Sequence, residues 1–285
     1  MAHRTRLLFG LTLLLLARTP AWAQAPPGPT PPGNGSGGGV LVTPTRLVFD
    51  DRKRTGEVSL SNAGNGLGVY RISLVRMDMN EDGGCTELPL ERLPGQIAIQ
   101  DMIRFSPKVV TLNPQESQSV RIQVRKPADL PAGEYRLHMV FREEPPPAPE
   151  PVAAGTGEPP KGITIRLTSL FGVAIPVIIR HGETAAKATL TGLTLDADRK
   201  VLRFRLERTG NQSVHGDIKV ALQPPAGKPV RLAEANGLSV FTPNAFRNLA
   251  MPLEGPVGRG RLRVTFTAPE DQGGALLAEA SLEVH

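Results

Sequence analysis

The sequence predicts an all-β fold built from two antiparallel β-sandwiches in series. Three observations carry that expectation. Apolar residues recur with a period of two along stretch after stretch of the chain, the spacing that puts alternate side chains on one face of a strand. Turn-forming Gly, Pro and Asn clusters punctuate those stretches. No segment shows the apolar stripe of an amphipathic helix.

The N-terminus reads as a secretory leader. His3, Arg4 and Arg6 precede the apolar run at 7–17, and Ala21-Trp22-Ala23 supplies a small-x-small cleavage pattern. The protein is therefore expected in the periplasm, cut near Ala23. The leader carries Arg4, Arg6 and Arg18 and no acid, so three fewer basic residues lower the formal charge from +6 to +3. That weak excess, with only 4% aromatic residues, excludes a nucleic-acid binder, which needs a basic footprint and stacking platforms. Residues 24–39 are a Pro/Gly tether. Their GxGxxG match at Gly33, Gly35 and Gly38 has no strand before it and no βαβ unit around it, so it is linker.

The first sandwich is expected over 40–181. Its strands are read at 41–49, 57–62, 69–77, 118–124 and 134–141, followed by a long one at 163–180. A Pro-rich segment at 143–162 should form a mobile surface loop. After His181-Gly182 the alternation restarts at 188–196, 200–207, 217–223, 229–234, 247–253, 260–268 and 275–284, giving a second sandwich over 182–285. Cys85 is the sole cysteine. No intrachain disulfide is available, and the fold must rest on its apolar cores.

The long stretch is the most informative. Ile163, Ile165, Leu167, Ser169, Phe171, Val173, Ile175, Val177 and Ile179 share one face, and all but Ser169 are apolar. An ordinary strand has about 5–6 residues. Pro176 cannot donate to a ladder and argues for an edge strand or a bulge. A long apolar edge invites pairing by another chain. The competing reading is a buried central strand, or two strands broken near Gly172.

Catalytic chemistry is missing. The five histidines, at 3, 138, 181, 215 and 285, have no metal-binding spacing, and there is no GxSxG elbow, SxxK pair or P-loop. Asp78, Asn80, Glu81 and Asp82 cluster, but without the spacing of a calcium loop. The chain is read as a non-enzyme with no metal, no cofactor and no small-molecule substrate.

Short motifs then fall in one order. These are Thr45-Arg46-Leu47-Val48-Phe49, Ser61-Asn62, Phe105-Ser106-Pro107, Leu112-Asn113-Pro114 and Val120-Arg121-Ile122. They continue with Leu130-Pro131-Ala132-Gly133-Glu134-Tyr135, Phe141-Arg142-Glu143-Glu144-Pro145-Pro146 and Asp271-Gln272-Gly273-Gly274. Together they resemble the periplasmic pilus chaperones of the chaperone–usher pathway, across essentially the whole mature chain. The resemblance implies two immunoglobulin-like β-sandwich domains in an elbow or boomerang arrangement. It also implies a chaperone that binds, stabilises and delivers pilus subunits to an outer-membrane usher by lending them a strand. It leaves self-association of the free form open. The alternative is a two-module structural or adhesive envelope protein.

The site residues follow from the resemblance. Arg46 anchors the subunit's C-terminal carboxylate. Leu167, Ser169, Phe171 and Val173 form the donor strand, while Ile175–Arg180 belongs to the domain's own core. Glu134, Arg180 and Asp271 form an ionic cluster between the domains. The sequence departs from the family where Pro176 stands in place of a lysine, and where the long 143–162 segment lacks a cysteine pair.

Overall fold

The computed structural model describes residues 39–91, 97–145, 172–255 and 257–285. Strands dominate. The first group comprises β1 (Val40–Thr43), β2 (Leu47–Phe49), β3 (Thr55–Asn62), β4 (Gly68–Met79) and β5 (Cys85–Leu88), then the one-turn helix α1 (Ile99–Met102). It continues with β6 (Ile103–Ser106), β7 (Val109–Leu112), β8 (Ser117–Val124), β9 (Gly133–Glu143) and β10 (Gly172–His181). The second group is β11 (Ala186–Leu195), β12 (Val201–Gly210), β13 (Val214–Gln223), β14 (Val230–Val240), β15 (Phe246–Pro252), β16 (Gly260–Thr267) and β17 (Leu276–Val284).

Each group makes two facing sheets. The orders are β1-β3-β8-β6 against β2-β10-β9-β4-β5, with β7 on β4, and β11-β12-β15 against β14-β13-β16-β17. The stretch read as one strand at 41–49 is two. β1 pairs antiparallel with β3, and β2 crosses to the opposite sheet and pairs in parallel with β10. The remaining pairings are antiparallel.

Period two decides what each strand buries. Leu47 and Phe49 of β2, Leu137, Met139 and Phe141 of β9, and Ile175, Val177 and Ile179 of β10 all enter the first core, with Tyr70 and Leu60. Each of these large side chains stabilises the fold by roughly 1.5–3 kcal/mol when fully buried. The alternate residues of the same three strands must then point the other way. Ile178 is fully buried in the second core instead, and Val48 packs against that core. The second core itself is built around Leu202, Leu206, Ile218, Val220, Leu262, Val264 and Phe266.

The acidic cluster at 78–82 is structural. It forms the tip of the β4–β5 hairpin, where the Asn80 side-chain oxygen accepts from Asp82 N at 3.1 Å and Gly84 N at 2.7 Å. The tip docks on the second sandwich. Asn248 N donates to Glu81 O at 2.6 Å, Asn244 Nδ2 donates to Met79 O at 2.7 Å, and Met79 joins the second core. Position 83 is glycine with φ +87°, and a Cβ there would strike the Arg247 guanidinium.

The long strand is described from Gly172 onward. Val173 lies on its core-facing side, partly buried against the first core, while Leu167, Ser169 and Phe171 lie outside the described residues. β10 pairs with β9 along its whole length but with β2 only over Val177–Ile179. Its outer edge over Gly172–Pro176 has no ladder partner among the described residues.

Candidate binding cleft

The ends of β2, β9 and β10 bring their second faces together at the junction with the other sandwich. Arg46 immediately precedes Leu47, so it points away from the first core. Glu134, Arg136 and His138 alternate with the core residues of β9, and Arg180 follows the buried Ile179 of β10. From the second sandwich come Arg208, Ser213 and His215, with Ser239 and Phe241 at the end of β14.

Glu134 is the hub. Its side chain is 0% exposed; it accepts from Arg180 Nε at 3.0 Å and from the backbone N–H of Ser213 at 3.1 Å. Arg180 and Glu134 are thus brought together as expected members of an ionic cluster, and the third partner is a backbone amide. Asp271 does not join them. It sits exposed in the 3₁₀ turn Glu270–Gln272, which closes on Gly273 at φ +94°. Its charge raises the pKa of His215.

Arg46 reaches across the junction. Its Nη2 donates to Ser213 Oγ at 3.2 Å and its Nη1 to Ser239 Oγ at 3.4 Å. Its guanidinium carbon stands 5.7 Å from the Phe241 ring centre. Burial pushes its pKa down to about 10; Arg180 and Arg136 add to the fall and Glu134 opposes it. Arg136 stacks closer on the same ring, at 4.1 Å. It has one long hydrogen bond, Nη2 to Thr242 O at 3.5 Å, while its buried Nε and Nη1 meet no acceptor. Burial lowers its pKa too.

Two histidines complete the wall. His138 is 4% exposed and meets Phe241 edge-on, with ring centres 6.0 Å apart. Burial, then Arg136 and Arg46, push its pKa down to about 4. His215 Nδ1 shares a 2.9 Å hydrogen bond with Ser239 Oγ. Burial and then Arg46 hold it near 4 as well, against the pull of Asp217 and Asp271. Both rings are neutral near pH 7.

The cleft is therefore basic, with Arg46, Arg136, Arg180 and Arg208 gathered around the buried carboxylate of Glu134. Such a low-dielectric concavity of one sign favours an anion. Beside it, Glu134 and Arg136 line a groove of about 560 Å³ running toward Arg76, Asp78 and Pro243. Among the described residues no group of three His, Cys, Asp or Glu could hold a metal ion.

A second latch holds the hinge. Asp51 accepts from Lys126 Nζ at 2.7 Å and from Gly182 N at 3.2 Å, and lies 3.1 Å from His181 Nδ1. Lys126 also donates to the carbonyl of Arg180, so one lysine ties the β2–β3 turn to the exit of β10.

The motif reading missed Arg136, His138, Ser213, His215, Ser239 and Phe241. For Arg136 and His138 the signal was available, because they alternate with Leu137, Met139 and Phe141 and so share a face with Glu134.

No family model matches this sequence, and no curated protein matches it. Among solved structures, the chain is similar to the YadV chaperone at 15% identity and a TM-score of 0.44, over 86% of this chain and 99% of that one. It is similar to the Pseudomonas aeruginosa CupB2 chaperone at 13% identity and a TM-score of 0.42, over 85% and 98% of the two chains. It is also similar to a chain of the Salmonella enterica SafA pilin–SafB chaperone complex at 15% identity and a TM-score of 0.41, over 86% and 96%.

Proposed function

We propose that this protein is a periplasmic chaperone that binds, stabilises and delivers pilus subunits, lending them the outer edge of β10. The observation that carries this reading is a strand that is half open. Among the described residues only β9 pairs with β10 over Gly172–Pro176, and the other edge runs toward the basic cleft at Arg46. An extended segment laid along that edge would complete the sheet by β-augmentation, with its chain end in the cleft.

In this reading the strand begins upstream, and Leu167, Ser169 and Phe171 fill the subunit's apolar groove, whereas Val173, expected with them, packs against the protein's own first core. The first domain, 40–181, carries the strand; the second, 182–285, supplies the other wall of the cleft. Arg46 receives the subunit's C-terminal carboxylate, since a guanidinium fork matches a carboxylate with two parallel hydrogen bonds. Delivery then passes the subunit to an outer-membrane usher.

The test is capture in the host periplasm. Tagged protein should co-purify with a stoichiometric small partner whose immunoglobulin-like sequence lacks its last strand. Arg46→Ala should fold, be secreted and lose that partner. Recovery of the protein alone under subunit expression would favour the two-module envelope reading.

A further inference from the structure

We propose that the junction between the two sandwiches is an acid-released clamp, bridged by Arg46 and loosened when His138 and His215 take up protons. The clamp belongs to the free protein and does not depend on a bound subunit.

Arg46 comes from the first sandwich and is bonded to the second. Its guanidinium donates to Ser213 Oγ at 3.2 Å and to Ser239 Oγ at 3.4 Å, and both serines are buried. Each sandwich sets one imidazole beside that guanidinium. On the second sandwich His215 and Ser239 are register partners on β13 and β14, and His215 Nδ1 lies 2.9 Å from Ser239 Oγ. A hydroxyl has one hydrogen and two lone pairs. Arg46 donates into a lone pair of Ser239, which leaves the hydroxyl hydrogen for Nδ1 of a neutral His215. A protonated His215 must donate to the same oxygen, which then stands between two cations. On the first sandwich His138 meets Phe241 of the second edge-on, and its buried Nδ1 has no hydrogen-bond partner. A proton on that nitrogen finds no acceptor.

The surrounding charges do not offset these protons. Those felt at His138 are Arg136 and Arg46, both positive. At His215, burial and Arg46 outweigh Asp217, Asp271 and a backbone hydrogen bond at Leu238. Glu134 is buried and held by Arg180 and the Ser213 amide. Both rings therefore bind a proton more readily with the junction open than closed, so a fall in pH favours opening. The hairpin-tip contacts, Asn248 N–H to Glu81 O and Asn244 Nδ2 to Met79 O, contain no titrating side chain. Opening on the Arg46 side then pivots on a tip that stays docked.

The test is amide hydrogen exchange of the full protein, read as protection factors so that the intrinsic pH dependence of exchange cancels. Ser213 N–H crosses the clamp to Glu134 at 3.1 Å and is the reporter. Asn248 N–H crosses at the hairpin tip at 2.6 Å and is the control. Each imidazole is held near 4 in the closed junction, against 6.5 when released. Ser213 protection should therefore fall about 20-fold per histidine between pH 7 and 5, and about 400-fold for the two together. Asn248 and the central strand β12 should hold. His215→Asn, whose Oδ1 replaces Nδ1 as the acceptor, should remove one factor and His138→Leu the other. The double variant should show no pH dependence at Ser213. Constant Ser213 protection in the wild type, a parallel loss at Asn248 and β12, or the same fall in the double variant would each overturn the clamp. If a variant fails to fold, the imidazole proton shifts of the wild type decide. Both rings should titrate near 4, and a midpoint near 6.5 in either one overturns the proposal.

Discussion

Replacing Glu134 with Gln isolates the cost of the cleft's charge imbalance. The change keeps size and shape and removes the buried negative charge that lies among Arg46, Arg136, Arg180 and Arg208. Glu134 is fully buried, and Arg180 is 23% exposed on its side chain. Deleting one partner of a buried pair costs about 3–5 kcal/mol, and the partial exposure of Arg180 argues for the lower end, about 3 kcal/mol. For a chain of this size, 1 kcal/mol moves the melting temperature by about 2–4 °C, so a fall of roughly 6–12 °C is expected. Arg180→Ala should cost less, because Arg46 and Arg136 still face the carboxylate and Ser213 N–H still bonds it. Thermal unfolding followed by circular dichroism at pH 7 and low salt reads both. A loss within 2 °C for Glu134→Gln, or a larger loss for Arg180→Ala, would refute the picture of one carboxylate neutralising several arginines.

Two further perturbations follow from the titrating groups. Asp51 is held well below its ordinary value near 3.8, first by Lys126, then by His181 and the Gly182 amide. A depressed carboxylate stabilises the fold above its unfolded value and loses that contribution as pH falls through the folded one. Melting curves should therefore place Asp51→Asn below the wild type at pH 5–7, with the two converging below about pH 3.8; parallel curves across that range would contradict the latch. His138, pushed from 6.5 to about 4, binds its proton more readily when unfolded. Its contribution is complete above about pH 6.5 and declines as pH falls toward 4, by about 3 kcal/mol in all. His138→Leu should flatten the stability profile between pH 6.5 and 4.5, and an unchanged slope would assign the acid sensitivity elsewhere.

Much of the fold is written in the period of the chain. The alternation from Val173 to Ile179 reads directly as the core face of β10, and the opposite phase places Ile178 and Arg180 in the cleft. The Glu134–Arg180 pair was legible through motif order alone. What escaped lies in tertiary structure. The stretch at 41–49 has apolar residues in both phases, Leu41 beside Val42 and Leu47 beside Val48, so periodicity alone does not tell that Pro44 and Thr45 carry the chain from one sheet to the other, or that β2 pairs in parallel. β5, β6 and β7 are four residues each, too short for a period to register. Asp271 matches a motif but sits on an exposed turn, because sequence order does not fix where a loop lands. Phe241, Ser213 and Ser239 reach the cleft only by the docking of one sandwich on the other.

The central claim is that the strand entering β10 is offered to another chain and is not spent in the protein's own core. Phe171 lies outside the described residues and, by alternation, shares its face with Leu167, Ser169 and Val173. The decisive measurement is Phe171→Asp, assayed twice: for folding of the purified protein and for co-purification of its small β-rich partner from the periplasm. The account predicts a melting temperature close to that of the wild type together with loss of the partner. An unfolded Phe171→Asp protein would contradict it and mark the strand as a buried core strand.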